Sequence, residues 1–410
     1  MGGVVSRTWL KATKPSYPDP PRHEAFQIAI ICSRASDVVT VKTLFDEQFD
    51  YAGYPDRNLS DDSNLYIAGR IGSHNVLVTH APRVGKVIAA KVAMNLRRKY
   101  HHIKLALVVG VCGGRPVRED GNIWLGDVLV SEGLVQYDLG RKIPGGYVHK
   151  DGPKDSLPRP TGEAASFVAR LGAPEQRHRL EASASRNLVA LQQAPGTDIP
   201  HYPGQKSDVL FAPTHRHGYC GRGSMEENPK VSYRGSRPIQ TTCEQFQCAL
   251  DESQINRRRS QSSDIPPQPH IHFGMIASGD ALLTTGEARD GIDLKESVIG
   301  FDMEGTSLGV WTAFPSCIVI KGVCHYADGH YSEDWRNYAV ATAAATAKTV
   351  LSEYVICDEP DSMPNNDMAM SAFGKRWSLR FFECFCSRYS LQNPPQASVA
   401  IYAQRTLTVN

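Results

Sequence analysis

No stretch of this chain approaches the roughly eighteen consecutive apolar residues that a membrane-spanning helix needs. A charge imbalance is also missing. Its 45 basic and 43 acidic side chains leave a net +2, too weak a field for a general nucleic-acid or membrane-surface binder, so any phosphate recognition has to be local. Met1 is not followed by the apolar core of a secretory signal, and several of the ten scattered cysteines lie inside apolar runs. They read as free thiols of a reducing, cytoplasmic setting rather than as a disulfide framework. His215-x-His217-x-x-Cys220 with Cys243 and Cys248 has the right atoms for zinc, but its spacing matches no common zinc module, so loop histidines are expected and no metal or other cofactor. Gly85-Lys86 is not a nucleotide P-loop either, because His80 and Val87 stand where that motif needs glycine and a hydroxyl.

With 410 residues, 41% of them hydrophobic, the chain suits one large domain with additions or two domains. Residues 1–23 carry Pro15, Pro18, Pro20 and Pro21 and no apolar period, which predicts a disordered leader. Met1-Gly2-Gly3-Val4-Val5-Ser6 also fits the pattern for N-myristoylation at Gly2, a reading that competes with a plain disordered start. A domain is expected over 24–357. It is interrupted at about 151–269 by a polar insertion, helical near 163–171 and 243–255 and otherwise disordered. The tail, 358–410, receives no assignment.

Inside that domain, continuous apolar runs predict buried strands starting near 26, 75, 103, 127, 272, 298 and 317. Tyr66–Arg70 should pair with Asn75–His80 across Gly72-Ser73, and a helix should follow Lys86, with Arg97, Arg98 and Lys99 in its last turn favouring the dipole. A short helix capped near Ser36 would put Asp37 just past the carboxyl end of the first strand, where ligands sit in open α/β sheets. Gly110-Val111-Cys112-Gly113-Gly114 reads as a glycine turn, for close approach of backbone to a ligand or simply for tightness, and 133–146 as a glycine-rich connection. Tyr338–Tyr354 is an alanine-rich helix. The densest stretch is Val298–His330: an apolar run, a Met303-Glu304-Gly305 elbow, a short helix, a second apolar run and a loop with His325 and Asp328.

IAIIC at 28–32 with Asp37, the Gly85-Lys86-Val87 helix start, Gly110-x-Cys112-Gly113-Gly114, IASGDALL at 276–283, Phe301-Asp302-Met303-Glu304-Gly305 and VIKGVCHYAD at 319–328 occur in one order. In that order the chain resembles the nucleoside phosphorylase and nucleosidase superfamily, in particular the fungal nucleoside-phosphorylase-like domains of NLR-type proteins, over about 24–150 and 270–355. The resemblance implies an α/β fold with a mixed central sheet flanked by helices in three layers. It also implies cleavage of the N-glycosidic bond of a purine nucleoside or nucleotide, with a homo-oligomer as the common assembly.

Residue by residue, the resemblance gives Glu304 the ribose hydroxyls, Met303 the sugar face, and Leu282 and Leu283 the base pocket. Gly85 and Gly113 then lie where backbone meets substrate. Phosphorylases of this kind place arginine at the position of Asp37 and phosphate-binding Arg and Ser at those of Val108 and Val111. Asp37 is the hydrolytic choice, and two valines cannot donate to phosphate, so water is the expected nucleophile and phosphorolysis the lesser alternative. His325 replaces the aspartate that serves the purine N7. An imidazolium there is a workable acid near neutral pH, or else the mark of an impaired enzyme that survives as a ligand-sensing module. Arg34 and Arg83 would contact phosphate if the substrate is a nucleotide such as ATP. The acidic cluster of metal-dependent nucleoside hydrolases does not occur.

Overall fold

The computed structural model describes residues 18–50, 64–119, 121–144, 146–150, 152, 154–196, 198–215, 254–255 and 267–356. The myristoylation motif, the residues His217, Cys220, Cys243 and Cys248, and the tail lie outside them.

The apolar runs become the sheet. Strand β1 (Ile28–Cys32) has no polar side chain and is buried along its whole length, so it must be covered on both faces. It lies parallel to β4 (His74–His80) on one side and β5 (Leu105–Gly114) on the other. Beyond β4 come the antiparallel edge strands β3 (Ile67–Ile71) and β2 (Glu47–Gln48). On the other flank β5 is parallel to β13 (Cys317–His325), and β13 is antiparallel to β6 (Val128–Gln136). Strands β6, β11 (Ile271–Ser278) and β12 (Val298–Asp302) then run parallel to one another. The sheet is mixed, as expected.

Strand β12 also returns to the far end of β5, antiparallel, pairing Gly300 with Gly114 and Phe301 with Gly113. This half of the sheet therefore closes on itself like a small barrel. The glycines are what permit it, since a Cβ on Gly300 would stand 2.7 Å from the Gly113 carbonyl oxygen and 2.2 Å from Leu129 Cδ1. The stretch 110–114 is consequently not a turn but the buried end of β5. The expected connection at 133–146 likewise holds the end of β6 and one arm of a hairpin, β7 (Gly140–Ile143) with β8 (Gly146–His149).

Helices α1 (Ala35–Lys42), α2 (Lys86–Lys99), α3 (Gly162–Gly172) and α4 (Pro174–Gln193) come next in the chain, with a two-stranded pair β9 (Leu210–Phe211) and β10 (Gln254–Ile255) after them. Helices α5 (Gly286–Glu296), α6 (Thr306–Ala313) and α7 (Glu333–Glu353) complete the described elements. Arg34, not Ser36, occupies the N-cap of α1, and no side chain caps it. Within the insertion, α4 is a helix that the sequence reading did not assign. In α4 the buried Leu180, Ala184, Leu188 and Leu191 recur at helical spacing, and Asn187 donates to Thr349 Oγ1 of α7 at 2.8 Å. The helix expected at 243–255 keeps only Gln254–Ile255 among the described residues, as strand β10.

Helix α7 is alanine-rich because it is squeezed between the sheet and α4. Its Ala339 meets Gly322 of β13 so closely that a Cβ there would lie 1.9 Å from the Ala339 carbonyl oxygen and 2.6 Å from its carbonyl carbon. Both atoms are backbone and cannot rotate away. Gly322→Ala is expected to cost about 1–3 kcal/mol of stability or more through overpacking. A urea midpoint equal to that of the wild type would show that the helix rides further from the sheet. Among the described residues no helix is long and apolar enough to cross a membrane.

Candidate active site

The return of β12 along β5 brings distant residues together. Asp302 follows Phe301, the partner of Gly113, while Lys321 of β13 stands opposite Gly110. Their fully buried side chains meet as an ion pair, Lys321 Nζ to Asp302 Oδ1 at 3.4 Å, and Lys321 Nζ also reaches Ser33 Oγ at 3.3 Å. Asp302 accepts further hydrogen bonds on Oδ2, from Ser278 Oγ at 3.0 Å and the Ser307 amide at 2.9 Å. Burial alone would raise its pKa, but Lys321 and these donors hold it below the usual carboxylate range. Burial would likewise discharge Lys321, yet Asp302 first, then Glu304, Cys112 and Asp37, keep its ammonium firmly charged. A buried cation so matched can fix the orientation of its neighbours.

Asp37 enters from α1, fully buried. Its Oδ1 is bound by Arg336 Nη2 from the first turn of α7 at 2.6 Å, and its Oδ2 has no hydrogen-bond partner among the described residues. Gly110 lies beneath. The point where a Cβ would sit on Gly110 is 3.5 Å from Asp37 Oδ2, 3.5 Å from Lys321 Nζ and 3.7 Å from Ser33 Oγ. Glycine thus keeps side-chain atoms away from a spot faced by a carboxylate oxygen, an ammonium and a hydroxyl.

Glu304 follows Asp302 at the elbow, its carboxylate mostly buried. Arg34 Nε donates to Oε1 at 2.7 Å, while Oε2 has no partner among the described residues. The elbow is set by Gly305, whose φ of 64° favours glycine and whose Cβ would strike Asp280 Oδ1 at 2.1 Å. Asp280 also accepts from the Lys86 amide at 2.9 Å, and the Gly85 amide donates to the Glu304 carbonyl at 2.8 Å. The N-terminus of α2 is therefore spent on the protein's own elbow, and Gly85-Lys86 serves that elbow rather than a phosphate. Lys86 Nζ completes the junction at 2.6 Å from Asp138 Oδ2.

Met303 packs against Leu283, whose amide donates to the Met303 sulfur at 3.0 Å. Leu283, with Tyr137, Tyr147 and Ile292, also lines a cleft of about 510 Å³. Leu282 does not join it there, being 42% exposed. Arg83 is exposed, and among the described residues no ion pair ties it into the site as Arg34 and Arg336 are tied. Gly113 faces His325, since a Cβ would come within 2.7 Å of Cε1 and 2.9 Å of Nδ1 of that ring.

His325 departs from expectation in its charge. Its Nδ1 accepts from the Ala327 amide at 3.0 Å, which leaves the ring proton on Nε2. Burial lowers the pKa to about 4, and the nearby Asp328 offsets this only in part. Near neutral pH the residue is a neutral hydrogen-bond donor, not the imidazolium expected. The free-energy consequence has a definite sign. In the unfolded chain the ring protonates near pH 6.5, so as pH falls from about 6.5 to 4 the unfolded state takes up a proton that the fold refuses and stability drops. His325→Gln should remove about 2 kcal/mol of the wild-type loss between pH 7 and pH 4.5. Urea titrations of both proteins at those two pH values check it, and identical losses would refute the neutral ring.

Lys321, Arg336 and Tyr331 are the residues of this region that motif reading passed over. Lys321 had a signal, a lone charge inside an otherwise apolar strand. Of the two histidines in the candidate zinc motif, only His215 lies within the described residues. It stacks on Phe211 with ring centroids 4.8 Å apart, and Phe211 stacks on His330 at 3.8 Å.

No protein-family model matches the chain. Several solved structures align with about four-fifths of it at low identity. The 5'-methylthioadenosine/S-adenosyl homocysteine nucleosidase of Helicobacter pylori is 14% identical, covers 80% of this chain and 99% of its own, and gives a TM-score of 0.45. Futalosine hydrolase of the same organism is 14% identical, with 81% and 100% covered and a TM-score of 0.45. The S-adenosylhomocysteine nucleosidase of Streptococcus pyogenes is 14% identical, with 81% and 98% covered and a TM-score of 0.45. By sequence the chain is 27% identical over 337 residues to a nucleotide-binding leucine-rich repeat (NLR)-like protein of Hyaloscypha variabilis, a match that covers 80% of this chain and spans 29% of that protein's length.

Proposed function

We propose that the protein cleaves the N-glycosidic bond of a purine nucleoside or nucleotide with water as the nucleophile. The observation that carries this reading is the pairing of Asp37 Oδ2, buried and unpartnered, with the side-chain-free spot over Gly110. A water there is faced by a proton acceptor in Asp37 and by donors in Lys321 and Ser33 that orient it.

Charge supports water over phosphate. Arg336 is matched by Asp37, Arg34 by Glu304 and Lys321 by Asp302, so no cation of the cluster is left over for an entering dianion. In the cleavage, the C1′–N9 bond breaks with its electrons going to the purine, and the ribose becomes oxocarbenium-like. Glu304 Oε2 accepts from the ribose hydroxyls and places a negative charge near the developing cation. Met303 packs on the sugar. His325 Nε2–H donates to the purine N7 and stabilises the leaving base as a neutral donor. Asp37 takes a proton from water as its oxygen bonds to C1′, the departing purine anion takes a proton from solvent, Asp37 returns its own to solvent, and the products are free base and ribose.

A second reading is favoured by one observation. A ring with a pKa of about 4 holds no imidazolium proton to give near neutral pH, and Arg34 lies on the carboxylate that should hold ribose. A module that binds the nucleoside without turning it over fits both. The deciding experiment incubates the protein with adenosine, inosine, guanosine, methylthioadenosine and ATP, with and without phosphate, and identifies the sugar. Free ribose, or its 5′-substituted form, supports hydrolysis. Ribose 1-phosphate would mean phosphorolysis, and binding without product a sensor.

A further inference from the structure

The near-zero net charge of the chain conceals a local excess. From Ser63 to Arg118 there is no aspartate or glutamate, and ten lysines and arginines fall in that stretch. Part of this charge has a visible use. Arg70 pairs with Glu47 and Lys86 with Asp138, Arg97 donates to the Ala313 carbonyl at 2.7 Å, and Lys99 lies over the rings of Tyr66 and Tyr100. Lys91 and Arg98 have no such use. Both are exposed, and among the described residues neither has an ion pair or a side-chain hydrogen bond.

They stand on one line. Helix α2 buries Ala89, Val92, Ala93 and Leu96, and turns outward Val87, Lys91, Met94 and Arg98, whose spacing of four, three and four residues puts them on a single face. Val87 is 74% exposed and Met94 64%. Scattered exposed apolar residues are ordinary, but here two alternate with two uncommitted cations along about 16 Å of helix. Arg83 and Val84, also exposed, lead into the stripe. The composition of the stripe selects its partner. Nucleic acid offers phosphates to the cations but little to isolated aliphatic side chains. A second copy docked stripe to stripe would crowd the cations of both chains into one seam, with no acidic residue in α2 to answer them. An anionic lipid bilayer suits both halves, since its headgroups take the cations while the aliphatic groups enter the interfacial layer.

We propose that the outward face of α2 is a peripheral docking surface for an anionic lipid bilayer, with Lys91 and Arg98 on the headgroups and Val87 and Met94 in the interfacial layer. The contact is reversible, because each cation near such a surface contributes only about fivefold to partitioning and the effect fades within a Debye length. This inference goes beyond the cleavage reading and does not rest on it. The two meet at one end of the helix, where the Gly85 amide donates to the Glu304 carbonyl at 2.8 Å. Docking along α2 thus holds the elbow of the candidate active site within one helix length of the membrane surface.

The test sediments the full-length protein with phosphatidylcholine vesicles, with and without roughly 30% phosphatidylserine, at about 0.1 M and about 0.5 M salt. Two cations at about fivefold each should make binding to the anionic vesicles about 25-fold stronger than to the neutral ones at the lower salt, and most of that should vanish at the higher. Lys91→Gln with Arg98→Gln should cut the preference to less than about threefold. Val87→Ser with Met94→Ser should weaken binding to anionic vesicles by at least about fivefold. Arg186→Gln with Lys206→Gln removes the same charge from exposed positions elsewhere, and should leave binding unchanged. All these side chains are exposed, so circular dichroism should find every variant folded. No binding to anionic vesicles, equal binding to neutral ones, or equal losses in the stripe pair and the control pair would overturn the docking face. A dimer in analytical ultracentrifugation that Val87→Ser with Met94→Ser dissociates would overturn it in favour of a contact between copies. Single-stranded RNA that displaces the protein from the vesicles through Lys91 and Arg98 would overturn it in favour of nucleic acid.

Discussion

Asp37→Asn should lower the rate of nucleoside cleavage by about 10²–10⁴-fold, the range expected when a positioned general base is removed. Asparagine keeps an oxygen for the Arg336 guanidinium but cannot take a proton from water. The substitution also leaves Arg336 as a buried cation without its counter-charge, a loss that destabilises folds by about 3–5 kcal/mol when a buried pair is broken outright. Rates therefore have to be compared at a temperature where circular dichroism shows the variant folded. Gly110→Ala supplies an independent check. A methyl group there would make ordinary contacts, 3.5 Å to Asp37 Oδ2 and 3.5 Å to Lys321 Nζ, so the fold should tolerate it. It would nonetheless occupy the spot assigned to water, and turnover should fall without loss of stability. Turnover above a tenth of wild type in Asp37→Asn, with ribose still the product, would remove Asp37 from the role of base.

The strands were readable because a fully apolar run such as 28–32 has only one comfortable place, the middle of a sheet covered on both faces. Asp37, Met303 and Glu304 stood out through the order of short motifs, and the structure puts the two carboxylates into one cluster of buried charges. The ion pairs that hold them were not readable. Arg336 lies 299 positions from Asp37, and no local pattern links a residue in the first turn of an alanine-rich helix to the first helix of the chain. The glycines at 110–114 read as a turn in sequence because glycine serves a turn and a close strand crossing equally well. Only the long-range pairing of β12 with β5 distinguishes the two, and it is a property of the closed sheet rather than of any segment. Helix α4 was hidden by its composition, for its apolar stripe is narrow and the intervening Glu, Arg, Gln and Ser residues resemble those of an unstructured insertion. The charge of His325 depended on a neighbouring backbone amide and on burial, neither of which appears in the string of letters.

Glu304→Ala should reduce kcat/KM for the nucleoside by about 10²–10³-fold, a size typical when one preorganised electrostatic contact to a developing charge is lost. The carboxylate has two tasks in the proposed reaction, one in the ground state and one in the transition state. Accepting from ribose hydroxyls contributes to binding at every stage, so its loss raises KM. Placing a full negative charge beside the oxocarbenium-like sugar matters only as the bond breaks, so its loss lowers kcat. Glu304→Gln separates the two, because glutamine still accepts a hydrogen bond but carries no charge. In that variant kcat should fall more than KM rises. The alanine variant also frees the Arg34 guanidinium, which in the resting protein is bound at 2.7 Å to Oε1 and reaches solvent at about a third of its side-chain surface. A freed cation near the sugar opposes the same positive charge that Glu304 stabilises, so the alanine variant should be the slower of the two. If Glu304→Gln instead turns over at the wild-type rate with only KM raised, the carboxylate is a binding group alone, and stabilisation of the sugar cation has to come from elsewhere in the site.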